Sequence, residues 1–225
     1  MATISTITFD FYGTLVQGHE GLEAVFREIL ARHGKPTADP APLIHAFHSE
    51  GRRRRETPPW KPYRGILRES LQVALQQEGL ETDPADFDEL IARLRHLPAH
   101  PEVPEALALL RAKGFRLAAI SNTDADLIAG SLPSLGLELD AVITAQQARA
   151  YKPDPRLFQH ARAVLGVQSA ETIHVAASQP LDMAVCKALG IRAFWVNRRG
   201  EEVEREWLPF TEVRNVAEAA QLILG

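Results

Sequence analysis

Ile4-Ser5-Thr6-Ile7-Thr8-Phe9-Asp10-Phe11-Tyr12-Gly13-Thr14 is the stretch on which the fold turns. Ile4 to Phe9 is an apolar, β-branched run of strand length that stops at a carboxylate, and Gly13 with Thr14 turns the chain just beyond it. The run predicts a buried central strand with Asp10 at its carboxyl end.

Outward from this strand the spacing becomes helical. Leu22, Val25, Phe26, Ile29 and Leu30 form one stripe that closes at Gly34, and Ile66, Leu67, Leu71 and Leu75 form another that ends at Gly79. Asp39-Pro40 and Asp83-Pro84 each offer a cap residue followed by proline at the start of a further helix. After Pro98 the pattern changes to alternation. Apolar strands at Phe115–Ile120, Ala141–Thr144, Thr172–Ala177 and Ala193–Val196 are separated by helices around Leu110, Leu127, Phe158 to Leu165 and Met183 to Leu189. Such alternation predicts an α/β fold whose doubly wound parallel sheet is covered on both faces. The core is read as residues 1–16 and 98–225, and residues 17–97 as an inserted all-helical domain. Ligands in open sheets bind outside the carboxyl ends of the strands. That rule selects Asp10 to Thr14, Ser121 to Asp124, Lys152 and Ala176 to Asp182.

Composition narrows the classes. Of 225 residues, 45% are hydrophobic and 24% charged, which excludes disorder and fibrous repeats. Lys plus Arg numbers 25 against 29 for Asp plus Glu, so no net basic field favours nucleic acid. The single cysteine, Cys186, rules out an internal disulfide and a cysteine zinc cage. It reads as a small buried residue. The start Met1-Ala2-Thr3-Ile4-Ser5-Thr6 lacks the signature of a secretory signal, and no run of about 18 apolar residues occurs. The expectation is a cytoplasmic protein acting on a small molecule, with no nucleic-acid or membrane partner.

Phe9-Asp10-Phe11-Tyr12-Gly13-Thr14-Leu15, Ser121-Asn122, Tyr151-Lys152-Pro153-Asp154-Pro155 and Asp182 after the fourth strand occur in one order. Together they resemble the haloacid dehalogenase superfamily, and the resemblance spans the whole chain. It implies a Rossmann-like core with a helical cap and no organic cofactor. It also implies that Asp10 is a nucleophile forming an ester that water hydrolyses. Lys152 would balance charge beside it, and Ser121, Asn122 and nearby backbone amides would bind an anionic group or oxyanion. Asp182 would hold Lys152 or position water. Tyr12, Thr14 and Gln179 are expected at the substrate. By analogy with similar dehalogenases, a homodimer is a further expectation.

Position 12 bears on the leaving group. Phosphatases of the superfamily resemble Asp-x-Asp, because a departing alkoxide benefits from a second carboxylate acting as acid and then base. This chain has Tyr12, a poor substitute at neutral pH, and a halide needs no proton. Ala176-Ala177 stands where phosphatases add Gly-Asp to their metal site, so little or no Mg²⁺ binding is expected. The sequence also departs from similar L-2-haloacid dehalogenases. Ala177 and Gln179 replace a serine and an asparagine, and Phe158 replaces a tyrosine. The halide-clamping arginine is missing from Leu43 to His48, leaving Arg52 to Arg55 or Arg64 as candidates. The leading expectation is hydrolysis of a small 2-haloacid. The alternatives are a Mg²⁺-dependent phosphate monoester hydrolase and a non-catalytic member of the fold.

Three further features have bland readings. Arg52 to Arg55 wrap around a helix and are expected to be mostly solvated. His45 and His48 lack a nearby third metal ligand. Trp60 is read as ordinary packing in preference to lining the substrate entrance.

Overall fold

The computed structural model describes residues 3–225, so the reading of Met1-Ala2 lies outside the described residues. β1 (Thr6–Phe9) is buried at every position, as a central strand must be when helices cover both faces. β2 (Arg116–Ser121) and β3 (Ala141–Thr144) extend the sheet on one side of it. β4 (Thr172–Ala176), β5 (Arg192–Val196) and β6 (Thr211–Val213) extend it on the other. The order is β3-β2-β1-β4-β5-β6 and every pairing is parallel.

Alternation along the strands divides the core in two. Ile7, Phe9, Leu117, Ala119, Ile173, Val175, Phe194 and Val196 join one cluster, whereas Ala118, Ile120, Ala193 and Trp195 join the other. α5 (Val103–Ala112) and α10 (Val216–Leu224) cover the first face. α8 (Pro155–Leu165) and α9 (Ala184–Leu189) cover the second. Two four-residue helices, α6 (Ala125–Ile128) and α7 (Ala145–Ala148), follow β2 and β3. The edge strand β6 was not anticipated. It has three residues, two of them exposed, so it carries no apolar run to signal it.

Between β1 and α5 stand four helices: α1 (Gly18–Arg32), α2 (Ala41–Glu56), α3 (Tyr63–Gln77) and α4 (Pro84–Arg95). The expected cap at Asp83 forms, its carboxylate accepting from Ala85 N–H at 2.9 Å. α3 begins at Pro62 without a side-chain cap of its own. The acceptors come from the core instead, because Asp124 takes the N–H groups of Tyr63 (3.0 Å) and Arg64 (2.8 Å). The chain leaves the core and rejoins it along paired segments. Gln17 N–H donates to Pro98 O (3.0 Å), His100 N–H to Leu15 O (3.0 Å) and the Gln17 amide to Ala99 O (2.9 Å).

Among the described residues, no helix is long and apolar enough to cross a membrane.

Candidate active site

β1 runs to β2 and β3 on one side and the chain then returns to β4 on the other, so the strand order reverses between β1 and β4. Open α/β sheets bind ligands in the crevice at such a reversal. The register sets Phe9 beside Ala119 and Val175, which brings the residues after β1, β2 and β4 to one edge. A cavity of about 580 Å³ opens there, between the sheet edge and the helical cap, and Asp10, Tyr12, Ser121, Lys152 and Asp182 line it.

Lys152 is the hub of this cluster. Its Nζ donates to Asp10 Oδ1 at 2.9 Å and lies 2.7 Å from Asp182 Oδ1, with only 1% of its side chain exposed. Burial opposes the ammonium charge, but Asp10 and Asp182 outweigh it and hold the pKa above the ordinary lysine value. Asp182 is likewise buried, yet Lys152 and His174 pull its pKa below the usual carboxylate range. Asp10 shifts the other way. Burial raises its pKa, Lys152 pulls it back and Asp182 adds a smaller upward push. Its side chain keeps 16% of its surface open towards the cavity.

Several expected contacts take a different form. Thr14, expected at the substrate, is fully buried and outside the cavity lining. Its hydroxyl donates to Asp10 Oδ2 (2.9 Å) and accepts from Ala177 N–H (2.9 Å), so it orients Asp10 and ties β1 to the loop after β4. Asn122 lines the cavity, but its amide accepts from Lys152 N–H (2.7 Å) and donates to Lys152 O (3.2 Å). It positions Lys152. Gln179 also lines the cavity, but its amide is held by the 202–204 segment, donating to Glu202 O (2.8 Å) and accepting from Glu204 N–H (2.8 Å). Both ends of its amide are thereby engaged within the protein.

Ser121 and Tyr12 do face the cavity, each with a buried hydroxyl that lacks a hydrogen-bond partner among the described residues. Burial pushes the Tyr12 pKa further above its ordinary value. Asp182 Oδ2 is also buried without a partner. The loop that carries Asp182 opens as one π-helical turn, Gln179–Met183, capped by the Ser178 hydroxyl, a wide turn that recurs at functional sites.

One member of the cluster was not anticipated. His174, within β4, is fully buried, with Nε2 2.9 Å from Asp182 Oδ1 and Nδ1 2.8 Å from the Thr8 hydroxyl. Burial lowers its pKa, and the ring lies between the Asp182 carboxylate and the Thr8 hydroxyl, which also donates to Ile173 O at 3.2 Å. A histidine inside the apolar run Thr172-Ile173-His174-Val175 was the available signal, since a buried polar group requires a partner. Phe158 packs edge-on against this ring and lies 5.8 Å from Lys152 Nζ. It therefore supplies a ring at the site but no hydroxyl.

The arginine run divides. Arg52 and Arg55 line the cavity, whereas Arg53 pairs with Glu50 and Arg54 with Glu50 and Glu69. Arg64 pairs with Asp126 and lies outside the lining. Trp60 stacks on Tyr151, whose hydroxyl donates to Lys61 O across the boundary between cap and core.

A sequence model described as haloacid dehalogenase-like hydrolase matches residues 4–190. The chain belongs to this family. The haloacid dehalogenase-like hydrolase is 30% identical over 205 residues to haloacetate dehalogenase H-2 of a Moraxella species, covering 89% of this chain and 88% of that one. It is 29% identical over 205 residues to a phosphoserine phosphatase of Thermus thermophilus, covering 89% and 74%. Among solved structures, a dehalogenase with an intermediate complex superposes with a TM-score of 0.87 at 24% identity, covering 99% and 98% of the two chains. That likeness extends the shared fold through the inserted helices.

Proposed function

We propose that this hydrolase removes halide from a small 2-haloacid, with Asp10 as the covalent nucleophile. The observation that carries the reading is the Lys152–Asp10 contact at 2.9 Å in a crevice where residue 12 is tyrosine, so that the nucleophile has a cation beside it and no carboxylate two positions on to act as acid and base. A carboxylate oxygen of Asp10 attacks the carbon bearing the halogen, and the C–X bond breaks to release halide. The product is an ester of Asp10. Water then adds to the Asp10 carbonyl carbon, the acyl C–O bond breaks, and the 2-hydroxy acid leaves with Asp10 restored and one proton released. Lys152 keeps Asp10 anionic for the first step and stabilises the oxyanion in the second. Ser121 Oγ is free to donate to the substrate carboxylate, and Asp182 Oδ2 to accept from the attacking water. Tyr12 contributes a wall. Its raised pKa leaves it unsuited to proton transfer, which a departing halide does not require.

The residues do not suit Mg²⁺. Asp10 and Asp182 are the acidic pair of the crevice, and both are already bound to the Lys152 ammonium. No group of three metal-ligating side chains gathers among the described residues. The proposal is tested by following chloride release from L-2-chloropropionate with Mg²⁺ chelated, alongside intact-mass spectrometry of wild type and Asp10→Asn. Turnover by wild type and none by the variant is expected. Absence of both turnover and adduct, with Mg²⁺-dependent hydrolysis of a phosphate monoester, would overturn it.

A further inference from the structure

We infer that the cleft receives a substrate with two anionic groups, one at Asp10 and a second, a carboxylate or phosphate remote from the reacting carbon, on a cationic wall of the cap. The inference rests on the haloacid reading only for the group at Asp10. His48, Arg52 and Arg55 are four and three residues apart, which places them on one face of α2, and all three line the cavity that holds Asp10. His19 and Arg199 line the same cavity, with Arg199 Nη1 3.4 Å from His19 Nδ1.

Arg53 and Arg54, on the other side of α2, have carboxylate partners, whereas Arg52 and Arg55 form no ion pair among the described residues. His48 is exposed on the same face, and its pKa is lowered, first by desolvation and then by Arg55, His19, Arg199 and Arg52. Gathering like charges is unfavourable unless an anion joins them. Of the acidic residues in the lining, Glu201 pairs with Arg199 and offsets that cation, and Glu204 accepts from the Trp207 indole, so Arg52 and Arg55 are the arginines of the wall without a carboxylate partner among the described residues.

Size points the same way. A cavity of about 580 Å³ lies within the range that encloses drug-sized ligands, well beyond the needs of a three-carbon acid. Tyr63 lines the same cavity as Arg55 and Asp10, which sets the wall and the nucleophile in one cleft.

The test uses unreactive probes on the wild-type protein, so that binding is read apart from turnover. Calorimetry compares glutarate and 3-phosphonopropionate with the monoanion butyrate. The dianions are expected to bind at least about tenfold more tightly, one of them preferentially according to which remote group the wall suits. Arg52→Gln/Arg55→Gln is expected to erase that margin and leave butyrate unchanged, while the control Arg53→Gln retains it. Equal binding of all three probes, or the same loss for butyrate, overturns the inference. Chloride release from L-2-chloropropionate and 2-chloroglutarate separates the two claims. Turnover of the monoacid with no dianion margin leaves the dehalogenase standing and removes the wall. An arginine-dependent margin with no chloride from either compound does the reverse.

Discussion

At Lys152 two buried carboxylates share one ammonium, so removing the cation leaves like charges facing each other in a poorly solvated crevice. Lys152→Met is expected to abolish turnover and to lower stability by about 3–5 kcal/mol in urea unfolding. Adding Asp182→Asn should recover part of the stability and none of the activity. His174 gives a second prediction. Its folded pKa is lowered by burial, so the unfolded chain takes up the proton first as pH falls through the free histidine value of about 6.5. Stability should therefore decline from pH 7 to pH 5, and His174→Gln should lose less over that window, read as urea midpoints at the two pH values. These residues were unequally legible. Asp10, Lys152 and Asp182 stand at strand ends or in the loops that follow them, where the apolar runs point to them. Thr14, Asn122 and Gln179 were found as polar residues near those ends, but their partners are Asp10, the Lys152 backbone and the 202–204 segment, contacts that exist only once distant strands meet.

Among elements, α3 depends on a residue outside itself. Asp124 accepts from the first two N–H groups of the helix and stands about sixty positions away. Asp124→Ala should cost about 1–2 kcal/mol, as loss of a helix cap does. Hydrogen exchange should show the Tyr63 and Arg64 amides losing protection first. The sequence shows α3 by its stripe and its stop at Gly79, but not how it starts, because the cap lies in a different segment. α2 presents the complementary case. Four consecutive arginines wrap around the helix, Arg52 and Arg53 exposed and Arg54 and Arg55 half-buried, and the turn shares them between ion pairs and the cleft, a division the run alone does not show. The three residues of β6 lay below the length at which periodicity identifies a strand.

Over the whole molecule, one apolar cluster runs from Ile7, Val175 and Val216 in the core through Phe26, Phe47, Leu71 and Leu90 of the cap. Cap and core therefore share packing as well as a substrate cleft. Leu71→Ala should cost about 2–5 kcal/mol. Its effect, in a Trp195→Phe/Trp207→Phe background that leaves Trp60 as the single tryptophan, should register equally in fluorescence, which then reports the cap, and in far-ultraviolet dichroism, which is shared with the core. Separate transitions for the two signals would show that the cluster does not couple them. The doubly wound class was legible because apolar runs alternated with helical stripes after Pro98. The depth to which the cap's stripes join the core was not, since a stripe shows that a face is buried and not against what. The paired segments at Gln17–Pro98 and Leu15–His100 carry a last consequence. They bring both ends of the helical insertion to a single point, so the eighty or so residues between them hang on the core like a loop on one stem. Changes within that loop that keep its apolar face against the core leave the strand ends, and with them Asp10 and Lys152, where they are, so the choice of substrate is free to change while the chemistry stays in place.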